Sequence, residues 1–76
     1  MNVALVDNNL GEILFETEMD ITPVKGFKVT LRSKEYVISD VEYMFDVKIG
    51  EGIFSGRDNV VAIYLDPAYQ EENKKA

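Results

Sequence analysis

A mainly β fold is what this chain predicts: a five-stranded antiparallel bent sheet or a small SH3-like barrel, with a short C-terminal tail. Three observations carry the prediction. Apolar and polar residues alternate with period two over residues 12–21 and 27–32. Two segments, residues 3–6 and 60–65, are apolar on both faces. Turn residues punctuate the chain at positions 8–11, 23–26 and 33–35. The 76 residues make one domain, and a chain this short buries only about 60% of the surface its unfolded state exposes. The expected boundaries are a single β domain over 1–70 and a frayed tail over 71–76.

The first strand follows from Val3, Ala4, Leu5 and Val6, a run with no wet side, and Asn8-Asn9-Leu10-Gly11 then supplies hairpin chemistry. In the second, Ile13, Phe15, Met19 and Ile21 occupy odd positions and are expected to face the core. Glu12, Glu16, Glu18 and Asp20 occupy even positions, with Leu14 and Thr17 as exceptions. Pro23-Val24-Lys25-Gly26 is a turn, leading into a third strand in which Phe27, Val29 and Leu31 alternate with Lys28, Thr30 and Arg32. After a polar turn at Ser33-Lys34-Glu35, Tyr36 and Ile38 point inward. The phase then slips so that Val41, Tyr43 and Phe45 become the apolar set, which predicts a β-bulge near Ser39-Asp40. Glycines 50, 52 and 56 make residues 46–59 the longest irregular connection, with Ile53 and Phe54 as anchors. Residues 60–65 form a buried last strand ended by Asp66-Pro67, and the strands are expected in meander order. Tyr69 can dock the start of the tail.

Composition excludes several kinds of chemistry. The chain has no Cys and no His, so thiol and imidazole nucleophile pairs and the common zinc sites have no residues to use. An EF-hand spacing at Asp7, Asn9 and Glu18 fails because Glu12 stands where the loop needs glycine. Gly50-Glu51-Gly52 puts a carboxylate where a phosphate cradle needs none. Neither a catalytic residue, a metal ligand nor a cofactor is therefore expected. The first cation is Lys25, leaving no basic leader, and a small domain without disulfides suits a reducing compartment, so a cytoplasmic location is expected.

The formal charge is −6, from 14 acids and 8 cations. Residues 1–24 hold five acids and no cation, and the one basic cluster, Lys25, Lys28, Arg32 and Lys34, lies between acidic segments. With the whole chain this negative, direct nucleic-acid binding is not expected, and the cluster is read as cross-strand charge pairing. The candidate partner-binding residues are Glu12, Glu16, Glu18, Asp20, Asp40, Glu42 and Asp46. Glu16, Glu18 and Asp20 form one row, and Asp40, Glu42 and Asp46 a second, interrupted by Met44. Residues two apart on a strand stand about 7 Å from each other, near the spacing of phosphates along a nucleic-acid backbone. Like charges in a row destabilise a domain already short of core, so a function accounts for them better than folding does.

At these two rows the chain resembles the small acidic early proteins with which bacteriophages take over the host cell. The resemblance is to the DNA-mimic type that inhibits the nucleoid protein HU, and it covers the whole chain in size and charge. It implies a non-enzymatic inhibitor whose carboxylates occupy the DNA-binding surface of a basic host protein in the bacterial cytoplasm. The basic segment, residues 25–34, departs from the most acidic mimics and implies one charged face rather than a uniformly negative surface. The doubly apolar segments suggest surface that a homodimer would cover. The competing expectation is an assembly module that binds a protein by edge-strand addition, with Ile53 and Phe54 as anchors.

Overall fold

In the computed structural model, which describes residues 1–49 and 56–68, five strands form a single sheet. They are β1 (Asn2–Asp7), β2 (Ile13–Glu18), β3 (Lys28–Leu31), β4 (Lys34–Ile49) and β5 (Gly56–Pro67). Their order is β2-β1-β5-β4-β3. The expected mainly β, bent sheet is present, with two corrections. The order is not a meander, and β1 runs parallel to β5 while the other three pairs are antiparallel. The reason lies in the patterning: β1 and β5 are the segments apolar on both faces, and at the centre of the sheet the side chains of neighbouring strands shield both, the main core on one face and Met44, Val60 and Tyr64 on the other. The segments with one wet face take the outside positions.

The turns form where their residues permit. In the first hairpin Asp7 Oδ1 accepts the backbone N–H groups of Asn9 (2.8 Å) and Leu10 (3.1 Å), while the Gly11 N–H donates to the Asp7 carbonyl at 2.7 Å. At 23–26 the turn is closed by the Phe27 N–H donating to the Val24 carbonyl at 3.1 Å, with Gly26 at φ 97°. The β3–β4 hairpin turns at Arg32-Ser33, one residue earlier than the polar triplet suggests, and both residues have positive φ, 52° and 67°. Two left-handed residues are what a tight hairpin loop requires, although neither is the glycine or asparagine that usually supplies them.

The bulge expected near Ser39-Asp40 is present as a register shift between Ile38 and Asp40, where the Ser39 hydroxyl donates to the Tyr64 carbonyl at 3.0 Å. A second shift lies between Met44 and Val47. Strands β4 and β5 run on beyond it, so positions 47–49 and 56–58 are paired ladder and not irregular connection. Residues 50–55, with the anchors Ile53 and Phe54, and residues 69–76, with Tyr69 and the tail, lie outside the described residues.

One face of the sheet carries the main core: Val3, Tyr36, Ile38, Val61, Ile63 and Leu65, with Leu5, Leu14, Ile21, Val29, Leu31 and Val41 packed against them. Six inward assignments change. Ile13 is exposed, and it is Leu14, an exception to the alternation, that reaches the core, because the β1–β2 ladder shifts between Leu5 and Val6; Phe15, opposite Leu5 on the edge strand, and Phe27, just before β3, are exposed as well. Met19 lies past the end of β2 and is exposed. Tyr43 and Phe45 are exposed because β3 covers only the 34–37 end of β4. The edges β2 and β3 do not pair, so the sheet bends without closing into a barrel. Arg32 spans the gap instead: its Nη1 donates to the Leu14 carbonyl at 3.4 Å and its guanidinium lies 5.8 Å from the centre of the Phe15 ring.

Candidate functional site

The opposite face is shaped by residue size. In register, β1 and β5 place Asn2 beside Val60, Ala4 beside Ala62, and Val6 beside Tyr64. Ala4, Val6 and Ala62 are buried there, with Met44, Val60 and Tyr64 packed around them. Two alanines side by side at the centre leave a depression that larger neighbours wall in. The groove has a volume of about 880 Å³, and Ile13, Thr17, Val47 and Lys48 complete its walls.

The acidic rows border this groove. Cross-strand partners align Glu16 on β2, Ala4 on β1, Ala62 on β5 and Glu42 on β4 in one line across four strands. Glu18 extends the β2 side opposite Asn2, and Asp40 extends the β4 side opposite Tyr64. Three strand spacings put the two rims about 14 Å apart along the sheet. All four carboxylates are exposed, and among the described residues none of them forms an ion pair. Glu42 is oriented by the Tyr64 hydroxyl, which donates to its Oε1 at 2.9 Å. That hydrogen bond is the main reason the Tyr64 hydroxyl titrates above its ordinary range, with burial and the charges of Glu42 and Asp40 adding to it.

The other three candidates stand apart from the rims. Glu12 lies in the first turn, where its carbonyl accepts the Asp7 N–H at 2.8 Å. Asp20 is past the end of β2, and its Oδ1 is 3.6 Å from the N-terminal ammonium. Asp46 leaves its row at the second bulge, where it adopts φ 58°. Its Oδ1 accepts from Arg57 Nε at 2.9 Å, its carbonyl from Arg57 Nη2 at 2.8 Å, and its own N–H donates to Asn59 Oδ1 at 3.1 Å. A carboxylate so engaged fixes the bulge, which explains why sequence parity alone misplaced it.

The basic cluster does not pair with the rows. Among the described residues, Lys34 lies with Nζ 5.6 Å from the centre of the Tyr36 ring, Arg32 lies over Phe15, and the β3 ladder sets Lys28 opposite Val37 and Thr30 opposite Glu35. The expected cross-strand charge pairs are therefore replaced by cation–ring contacts, because in the β3–β4 register each charge stands opposite an uncharged residue. No group of three or more acids among the described residues is arranged to hold a metal ion, and no described helix is long and apolar enough to cross a membrane.

Sequence reasoning missed the groove itself. Its signal was present: Ala4 and Ala62 are the small residues within two otherwise bulky apolar runs, and Tyr64 is the polar-tipped one. Their significance depends on β1 and β5 being neighbours. Comparison with known proteins found no matching family model, no matching curated protein and no matching solved structure.

Proposed function

We propose that this protein is a non-enzymatic inhibitor that presents its two carboxylate rims to the DNA-binding surface of a basic bacterial protein, a nucleoid protein such as HU, and excludes DNA by competition. The observation that carries the reading is the line Glu16–Ala4–Ala62–Glu42, which sets unpaired acids on both sides of one open face. Acids about 7 Å apart within a rim, and rims about 14 Å apart, compare with a major groove about 12 Å wide between phosphate strands. The resemblance to small acidic bacteriophage proteins points the same way, toward action in the host cytoplasm. A homodimer would present two such faces.

Competition with duplex DNA for purified HU tests the reading. The wild-type protein is expected to displace DNA at low salt and to lose about tenfold or more in potency when salt is raised several-fold, since exposed charge pairs are screened. Glu16→Gln with Glu42→Gln is expected to abolish most of the displacement. Displacement unchanged by that pair of substitutions defeats the proposal.

Edge-strand addition has less support. At β2 the exposed Phe15 ring and the Leu14 carbonyl are already engaged by Arg32, and the anchors named for that reading lie outside the described residues.

A further inference from the structure

The rims account for charge, but they do not account for the floor between them. A surface evolved only to display carboxylates gains nothing from an apolar trough, whereas this one has a volume of about 880 Å³ floored by Ala4, Val6 and Ala62. We infer that the groove receives one amphipathic α-helix of the basic partner, its apolar stripe on the alanine floor and its Lys or Arg residues reaching the rims on both sides. The inference rests on the reading above and deepens it by naming the element of the partner that is bound.

Shape and charge both select a helix. An α-helix with its side chains is about 10–12 Å across, which fits between rims about 14 Å apart. An extended segment would instead seek backbone partners at a sheet edge, and the groove lies on a face whose central strands are paired on both sides. Ala4 and Ala62 hold the floor low, so a helix can approach at ordinary sheet-to-helix packing distance. Ile13 stands at the wall with more than half of its surface exposed, which leaves apolar area to be covered on binding. The charge pattern favours a helix with cations on both borders of an apolar stripe and not one with cations all round: Glu16 and Glu42 face each other across an apolar floor, and Lys48 joins the wall only beyond the second bulge of β4.

The test uses a labelled synthetic peptide of roughly 18 residues, about five helical turns, made of Leu and Lys so that Leu recurs with helical period. Its isomer of the same composition has Leu and Lys strictly alternating, and oligolysine of equal charge is the third probe. Fluorescence anisotropy against the intact protein is expected to give the helical isomer about tenfold tighter binding than either comparator, the worth of one well-covered apolar side chain. Ile13→Ser, a change at an exposed position that leaves the core alone, is expected to weaken it by about fivefold to tenfold. Ala62→Leu, which raises the floor, is expected to weaken it as well, with circular dichroism confirming that both variants fold. Equal binding of the three probes, or binding indifferent to both groove variants, overturns the helix. If that happens while Glu16→Gln with Glu42→Gln still abolishes competition with DNA, the helix falls and mimicry stands. If the peptide results hold while competition ignores the carboxylates, the helix groove stands and mimicry falls.

Discussion

The two faces of the β1–β5 pair are built from alternating residues of the same two segments, yet one is a closed core and the other an open groove. On the core side Val3, Val61, Ile63 and Leu65 meet Tyr36 and Ile38, and the bend of the sheet brings both edges over them. On the groove side Ala4 and Ala62 hold the central positions, and Met44, Val60 and Tyr64 pack around them as the walls of a depression. Hydrophobic composition is similar on the two sides, so the difference comes from side-chain volume and from the direction of the bend. A sheet this small can fold one face onto itself, and the other keeps an apolar depression.

Substitutions can break or sharpen that contrast. The largest effect is expected on the core side: Leu65 is 0% exposed, and Leu65→Ala should cost about 2–5 kcal/mol, enough to unfold much of a domain of this size, as urea denaturation would register. Arg32→Ala should cost about 1 kcal/mol by releasing Phe15 and the Leu14 carbonyl, and faster hydrogen exchange should then be concentrated in β2. On the groove side Tyr64→Phe should cost about 1 kcal/mol or less at neutral pH, and its effect depends on pH in a defined direction. Because the Tyr64 hydroxyl is raised above 10.0 in the fold, its contribution is complete below that pH and is lost as pH rises through the higher folded value. The stability difference between wild type and Tyr64→Phe should therefore narrow above pH 10 in denaturation curves taken across the alkaline range.

Much of the fold was legible in the residues. The alternation in 28–31, the doubly apolar runs at 3–6 and 60–65, and the phase slip at Ser39 all correspond to observed elements, whereas Phe27 falls before β3 and is exposed. What failed was the part that no local pattern encodes. Strand order depends on which segments need cover on both faces, a property of the whole sheet and not of any one strand. Leu14 defeated the alternation because a bulge shifts the parity of an edge strand, and Asp46 because a left-handed residue steps out of its row. The site was half legible: Glu16, Glu18, Asp40 and Glu42 do border one face. The floor between them exists only through the pairing of the first strand with the last, and no spacing along the sequence reveals a contact across nearly the whole chain.

The parallel pairing of β1 with β5 also bears on how the molecule comes into being. The β1–β2 hairpin and the β3–β4–β5 meander each consist of neighbours in sequence and can form early, but neither has a complete core alone. Their union is the step of highest loop-closure entropy and is expected to be the slow one. Until β5 has been synthesised, the inner edge of β1 is an unpaired, strongly apolar strand, the kind of surface that seeds association between nascent chains. Among the described residues the short edge strands β2 and β3, and the stretch of β4 that runs on past the end of β3, then remain as borders of the sheet, and Glu16 and Glu18, Lys28, and Asp40 and Glu42 place charge on each of them in turn.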